Sequence, residues 1–103
     1  MELKTLKKRC HIKANHKAFD GHFPHRPIFP AVAQIDLVFD LLREHFNQPV
    51  QSIAVKRAKF RAILQPETYV DLELTLNREG EARWSLSGQG VFYSMGDVRY
   101  SLV

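Results

Sequence analysis

The 103-residue chain contains a single cysteine, a single tryptophan and no long run of apolar residues. Because Cys10 has no second cysteine to pair with, an internal disulfide is excluded. A membrane-spanning helix would need about 18 or more consecutive apolar residues, so none is expected. The first residues carry cations without a following apolar stretch, so we expect no secretory leader there. These absences indicate a protein of the reducing cytoplasm.

What is present is typical of a folded globule: 45% of the residues are hydrophobic and 25% are charged. The length predicts one domain that covers residues 1–103. A chain of this size buries only about two thirds of its unfolded surface, so a lone monomer would be marginally stable. We therefore expect a homodimer or a multiple of dimers.

The charge balance is positive, with 15 lysines and arginines against 11 acidic residues. A positive excess favours an acidic partner without naming one. The chain has no zinc-finger spacing, helix-turn-helix or RNA-binding strand signature, so no nucleic-acid partner is predicted. The cations form two clusters: Lys4, Lys7, Lys8 and Arg9, then Lys56, Arg57, Lys59 and Arg61. Each cluster is either a solvated strand face or, for the second, a docking surface for an acidic carrier protein.

A proline-rich loop precedes the one predicted helix. Three prolines within residues 19–30 exclude regular structure there, although the segment is apolar enough to lie against a core. The helix is predicted to run from Ala31 to about Phe46 and to end at Asn47. Its apolar residues cover nearly every side, which predicts burial on all sides.

The remaining segments alternate apolar and polar residues as strands do. Strands are expected at residues 3–13, 52–62 and 70–77, around residues 84–86 and at 98–102, with turns at residues 78–81 and 94–97. One strand, one helix and about four further antiparallel strands make the fold class α+β, with a sheet curled around the helix.

Residues 19–36 read F-D-G-H-F-P-H-R-P-I-F-P-A-V-A-Q-I-D. This segment resembles the active-site segment of the 3-hydroxyacyl-acyl carrier protein dehydratases, G-H-F-P-x-x-P-x-x-P-G-x-x-x-x-E/D. His22 and Asp36 keep the family's spacing, and three prolines fall in register. Residues 58–74 resemble the strand–turn–strand that follows the helix in that family. The short chain and the A-Q-I-D sequence resemble most the small dehydratases of aryl polyene clusters.

The resemblance implies the hotdog fold, in which a sheet wraps one long helix and two subunits pair. It also implies an acyl carrier protein as partner, no cofactor and no metal. His22 of one subunit would take the α-proton of a 3-hydroxyacyl thioester, and Asp36 of the other would protonate the leaving hydroxyl. Both residue types suit these roles, because histidine titrates near neutral pH and an apolar setting favours a protonated carboxyl.

The resemblance assigns further residues to the site. The backbone N–H of Ala31, at the positive end of the helix, would stabilise the thioester oxyanion. Phe23 and Phe60 either pack in the core or, with Pro30, bind substrate. The positive charges of Arg26, Lys56, Arg57, Lys59 and Arg61 would dock the acidic carrier. Two positions depart from the family pattern: Ala31 replaces its usual glycine, and Asp40 its usual glutamine. Asp36 and Asp40 share a helix face, where like charges repel.

Alternative interpretations remain open. A single buried histidine or aspartate is most often structural, so the pairing of His22 with Asp36 decides for catalysis. Loop side chains could instead bind zinc, namely His16, Asp20, His22 and His25, although no second ligand cluster completes such a site. The chain could also be a non-catalytic acyl-binding or scaffolding hotdog module, or a hotdog thioesterase.

Overall fold

The structure, a computed structural model, describes residues 3–20 and 27–103. Its elements are β1 (Lys4–Ile12), a short 3₁₀ helix (Lys17–Phe19), α1 (Ala31–Phe46), β2 (Val50–Phe60), β3 (Thr68–Leu76), β4 (Glu81–Gly88) and β5 (Val91–Leu102). The strands form one antiparallel sheet in the order β1-β3-β4-β5-β2. The predicted α+β class is confirmed, with one long helix against a five-stranded sheet.

The helix α1 has the predicted bounds, and the residues at its two ends explain them. Pro30 precedes it in an extended conformation, with φ −73° and ψ 163°, and supplies no N–H of its own. Asn47 ends it in the left-handed region at φ 53°, a conformation that asparagine tolerates better than most residues. Within the described residues, no helix combines the length and the apolar character that crossing a bilayer requires.

The core lies between α1 and one face of the sheet. Alternate residues of the central strands point toward the helix and are buried: Val70, Leu72, Leu74 and Leu76 of β3, and Ala82, Trp84 and Leu86 of β4. The helix contributes Val38, Phe39, Leu41 and Leu42. Trp84 donates its indole N–H to the hydroxyl of Ser94 at 3.0 Å, so its polar atom is satisfied inside the core.

The prediction that α1 is buried on all sides is wrong for the single chain. Val32 is 66% exposed, and Asp36, Asp40 and Glu44 are exposed as well. The reason is that one sheet covers only one side of a helix. The opposite side remains open, and it carries an apolar residue together with three carboxylates.

The turn predicted at residues 94–97 is also wrong, because β5 runs through these residues without interruption. The chain reverses instead at Gln89 and Gly90, with φ values of 52° and 78°, as in tight hairpins. Gly96 serves packing rather than turning. A Cβ on it would lie 2.5 Å from the Trp84 ring, so only glycine leaves room for the indole.

Candidate active site

The start of α1 and the segment that follows β2 enclose a groove of about 280 Å³. From the helix side it is lined by Pro30, Ala31 and Gln34, and from the other side by Phe60, Arg61 and Ile63, among others. Four residues that the sequence assigned to the site therefore line one groove, although about thirty positions separate the two pairs: Pro30, Ala31, Phe60 and Arg61.

A backbone hydrogen bond fixes the two walls of this groove to each other. The N–H of Phe29 donates to the carbonyl oxygen of Leu64 at 2.7 Å. Both side chains are buried, with 1% and 0% exposure. The loop before the helix is thereby anchored to the loop after β2, so the helix start has a fixed position relative to Phe60.

The first turn of α1 gives the groove its positive end. The first backbone bond within the helix runs from the N–H of Gln34 to the carbonyl oxygen of Pro30, at 3.1 Å. The N–H groups of Ala31, Val32 and Ala33 come before that bond and have no partner within the helix. Such groups, with the helix dipole, stabilise an oxygen that gains negative charge.

Gln34 is a residue of this groove that sequence reasoning missed. It is 4% exposed, and its Nε2 donates to the carbonyl oxygen of Phe29 at 3.3 Å. Its Oε1 is buried without a hydrogen-bond partner among the described residues. The available signal was an amide side chain within an otherwise apolar helix start, but nothing in the pattern shows where that amide points.

Asp36 lies on the open side of α1 and is not among the described residues that line the groove. It shares this side with Val32 and Asp40, each four positions away. The Asp40 carboxylate accepts a hydrogen bond from Arg43 at 2.8 Å, which offsets part of the expected repulsion from Asp36. In the single chain the candidate acid therefore faces outward, where a second molecule could cover it.

One cation of the second basic cluster, Arg57, is held in an ion pair. Arg57, at a bulge in β2 with φ 51°, donates to Asp97 at 2.9 Å, and Arg83 donates to the same carboxylate at 2.9 Å. Burial opposes ionisation of Asp97, but the hydrogen bonds and charges of the two arginines outweigh it and lower the pKa of that carboxyl. Arg57 is thus oriented by this ion pair, although its side chain is 75% exposed, and Lys56 and Lys59 are exposed as well.

Three residues assigned from the sequence, His22, Phe23 and Arg26, lie outside the described residues. His25, of the alternative zinc site, does so too. In that alternative set, the Nδ1 of His16 accepts a hydrogen bond from the N–H of Ala18 at 3.0 Å and caps the 3₁₀ helix. Over residues 3–20 and 27–103, no three histidine, cysteine, aspartate or glutamate side chains cluster as metal ligands.

The chain is similar in sequence to known proteins over most of its length. Residues 2–97 match the family model of the ApeI-like family, described as ApeI dehydratase. The 3-hydroxyacyl-[acyl-carrier-protein] dehydratase FabZ of Rickettsia felis is 30% identical over 92 residues, which are 82% of this chain and 63% of the relative. The FabZ of Rickettsia akari is 30% identical over 84 residues, 74% of this chain and 58% of the relative. The chain thus spans about three fifths of the length of these curated relatives.

Solved structures agree in fold. The dehydratase heterocomplex ApeI:P from Xenorhabdus doucetiae has a TM-score of 0.83 at 20% identity, with coverage of 97% of this chain and 94% of that one. The (R)-hydratase from A. caviae involved in PHA biosynthesis has a TM-score of 0.63 at 15% identity, with coverage of 99% and 95%. The predicted hotdog fold is confirmed, and the family match over residues 2–97 shows that the chain belongs to the ApeI-like family.

Proposed function

We propose that this protein dehydrates a 3-hydroxyacyl thioester carried on acyl carrier protein to the trans-2-enoyl thioester. The observation that carries the proposal is the groove at the start of α1, where the N–H of Ala31, which has no partner within the helix, meets apolar walls in an ApeI-like chain. The FabZ relatives are 3-hydroxyacyl-[acyl-carrier-protein] dehydratases, which supports the substrate class.

The proposed reaction needs one base, one acid and one oxyanion donor. His22 takes the α-proton, and the electrons of that C–H bond form the new double bond. Charge that develops on the thioester oxygen is stabilised by the N–H of Ala31 at the helix start. The C–O bond at the third carbon breaks, and Asp36 gives its proton to the departing hydroxyl, which leaves as water.

A second copy of the chain completes this site in the proposal. The edge strand β2 has no charged residue within positions 50–55, and Ile53 and Val55 are 53% and 40% exposed. The uncharged, partly apolar first half of β2 favours pairing with another strand, whereas the cations of β1, the opposite edge, begin at its first residue, Lys4, and extend to Arg9. A copy paired at β2 would extend the sheet and place its own helix beside α1, which carries Asp36.

The proposed activity is tested with a panel of 3-hydroxyacyl thioesters of different chain lengths, each offered on acyl carrier protein and on a small thiol. We expect absorbance from the conjugated enoyl thioester to rise with time and in proportion to protein. A matched 2-hydroxyacyl thioester is the control, because it has no hydroxyl at the third carbon to lose. Release of free thiol in place of enoyl product would identify a thioesterase and overturn the proposal.

The exposed cations of β2 fit a docking role for the acidic carrier. Lys56 and Lys59 are exposed in the strand that ends at the groove, and Arg61 lines the groove itself. Charges at the rim of an interface mainly set the association rate and its salt dependence. Arg57 contributes less in this scheme, because its guanidinium is bound to Asp97.

Reversal of two exposed charges, Lys56→Glu with Lys59→Glu, should raise the apparent KM for carrier-bound substrate several-fold. The same variant should process a small acyl thioester at the normal rate. Lys4→Glu with Lys7→Glu is the matched control, since it makes the same charge change on the opposite edge of the sheet. Added salt should weaken only the carrier reaction of the native protein, because the Debye length falls to about 3 Å at 1 M.

Two results would contradict carrier docking at β2. An equal loss with both kinds of substrate would place the effect in folding or in the site. An equal loss in the β2 and β1 variants would show that only the net charge of the protein matters.

A further inference from the structure

The amide of Gln34 holds the segment that carries the helix start. Its Nε2 donates to the carbonyl oxygen of Phe29, while the N–H of Phe29 donates to Leu64 on the other wall of the groove. Phe29 is therefore held from the helix on one side and from the loop after β2 on the other. Only Pro30, whose ring fixes its own φ, separates Phe29 from Ala31.

Stability does not explain why an amide occupies this position. The Oε1 of Gln34 is buried with no hydrogen-bond partner among the described residues, and the one bond that Nε2 makes is long, at 3.3 Å. A buried acceptor without a partner costs free energy, whereas an apolar side chain of similar shape would fill the space without that cost. A buried polar atom without a partner is often retained for the function of a neighbouring site, and the neighbouring site here is the groove.

We propose that Gln34 is a positioning residue that fixes the Phe29 carbonyl and so aims the Ala31 N–H into the groove. The inference rests on the proposed dehydratase function and adds to it the residue that fixes its oxyanion donor. Gln34 borders the groove but is only 4% exposed, so we assign it a positioning role rather than contact with the reacting atoms. Small displacements of such a donor are costly in rate, up to about a hundredfold for an error of about 1 Å.

Two substitutions separate positioning from packing. Gln34→Met keeps the shape and removes the donor, so it should lower kcat by roughly tenfold to a hundredfold with little change in KM. Its melting temperature should equal or exceed that of the native protein, since the unpaired Oε1 is gone. Gln48→Met is the matched control at the other end of α1, where the side chain is exposed, and it should alter neither quantity.

Gln34→Glu supplies a pH profile that a packing role would not produce. A protonated carboxyl at this position still donates to the Phe29 carbonyl, so the variant should approach native kcat at low pH. Burial raises the pKa of a carboxyl above its ordinary value, and ionisation then removes the donor. The ratio of variant to native kcat should therefore fall as pH rises through that pKa, whereas the ratio for Gln34→Met should stay flat. Arg61, the cation of the same groove, stays charged throughout.

The outcomes test the positioning role of Gln34 separately from the proposed dehydratase function. Native kcat in Gln34→Met, or a flat ratio for a Gln34→Glu variant that melts like the native protein at every pH, overturns the positioning role. A loss of kcat that follows the loss of folded protein assigns Gln34 to packing and overturns it as well. If the native protein does not dehydrate any 3-hydroxyacyl thioester, the proposed function itself fails.

Discussion

Asp36→Asn and His22→Ala should each lower the rate of dehydration by about 10²–10⁴-fold, the usual contribution of a general acid or base. Both variants should stay folded; Asp36 in particular is exposed in the single chain and packs against nothing that its loss would empty. The measurements are kcat for a 3-hydroxyacyl thioester and the melting temperature. Asp71→Asn is the control, because Asp71 is also an exposed carboxylate but lies on β3 and pairs with Arg9. It should change kcat little.

Native rates in both folded variants would contradict the assignment of His22 and Asp36. The chain would then fit a non-catalytic hotdog module that binds acyl groups or supports a partner subunit. Loss in one variant only would keep the enzyme and remove the other residue from the mechanism.

Mixing the two inactive variants should restore activity to about a quarter of the native level. If subunits exchange at random, half of the dimers hold one chain of each kind, and one of the two sites in such a dimer has both His22 and Asp36 intact. The outward position of Asp36 on α1 gives the reason for a shared site.

Sedimentation should show a dimer, or a multiple of it, at micromolar concentration.

Subunit exchange must be shown separately, for example with one variant carrying an affinity tag. No recovery in a mixture whose exchange is demonstrated would contradict a shared site. A stable monomer with full activity would contradict both the dimer and the sharing.

The helix could be predicted closely because local residues determine its ends. Pro30 cannot continue a preceding hydrogen-bonded segment, and Asn47 accepts the left-handed conformation that closes α1. The turn predicted at residues 94–97 is wrong for a different reason. Glycine at position 96 is a turn signal by local rules, but here it makes room for Trp84, a residue of the neighbouring strand. No local pattern contains that contact.

The site was predictable only in part, on similar grounds. The motif at residues 19–36 predicts Pro30 and Ala31 as site residues, and the segment at residues 58–74 predicts Phe60 and Arg61. The groove between them depends on a backbone bond from Phe29 to Leu64, which a sequence pattern does not show. The sequence does not predict the exposure of Asp36 in the single chain. An apolar helix indicates burial, whether its own chain or a second chain covers it.

The strand order β1-β3-β4-β5-β2 also has a consequence for how the molecule folds. Strands β3, β4 and β5 are consecutive neighbours, so hairpins between them close short loops and can form early. The edge strands pair across long stretches of chain, Ile12 with Thr68 and Val50 with Leu102. One wall of the groove belongs to the end of β2 and the other to α1, neither of which is part of that central meander. We therefore expect the groove to be among the last parts of the molecule to form during folding.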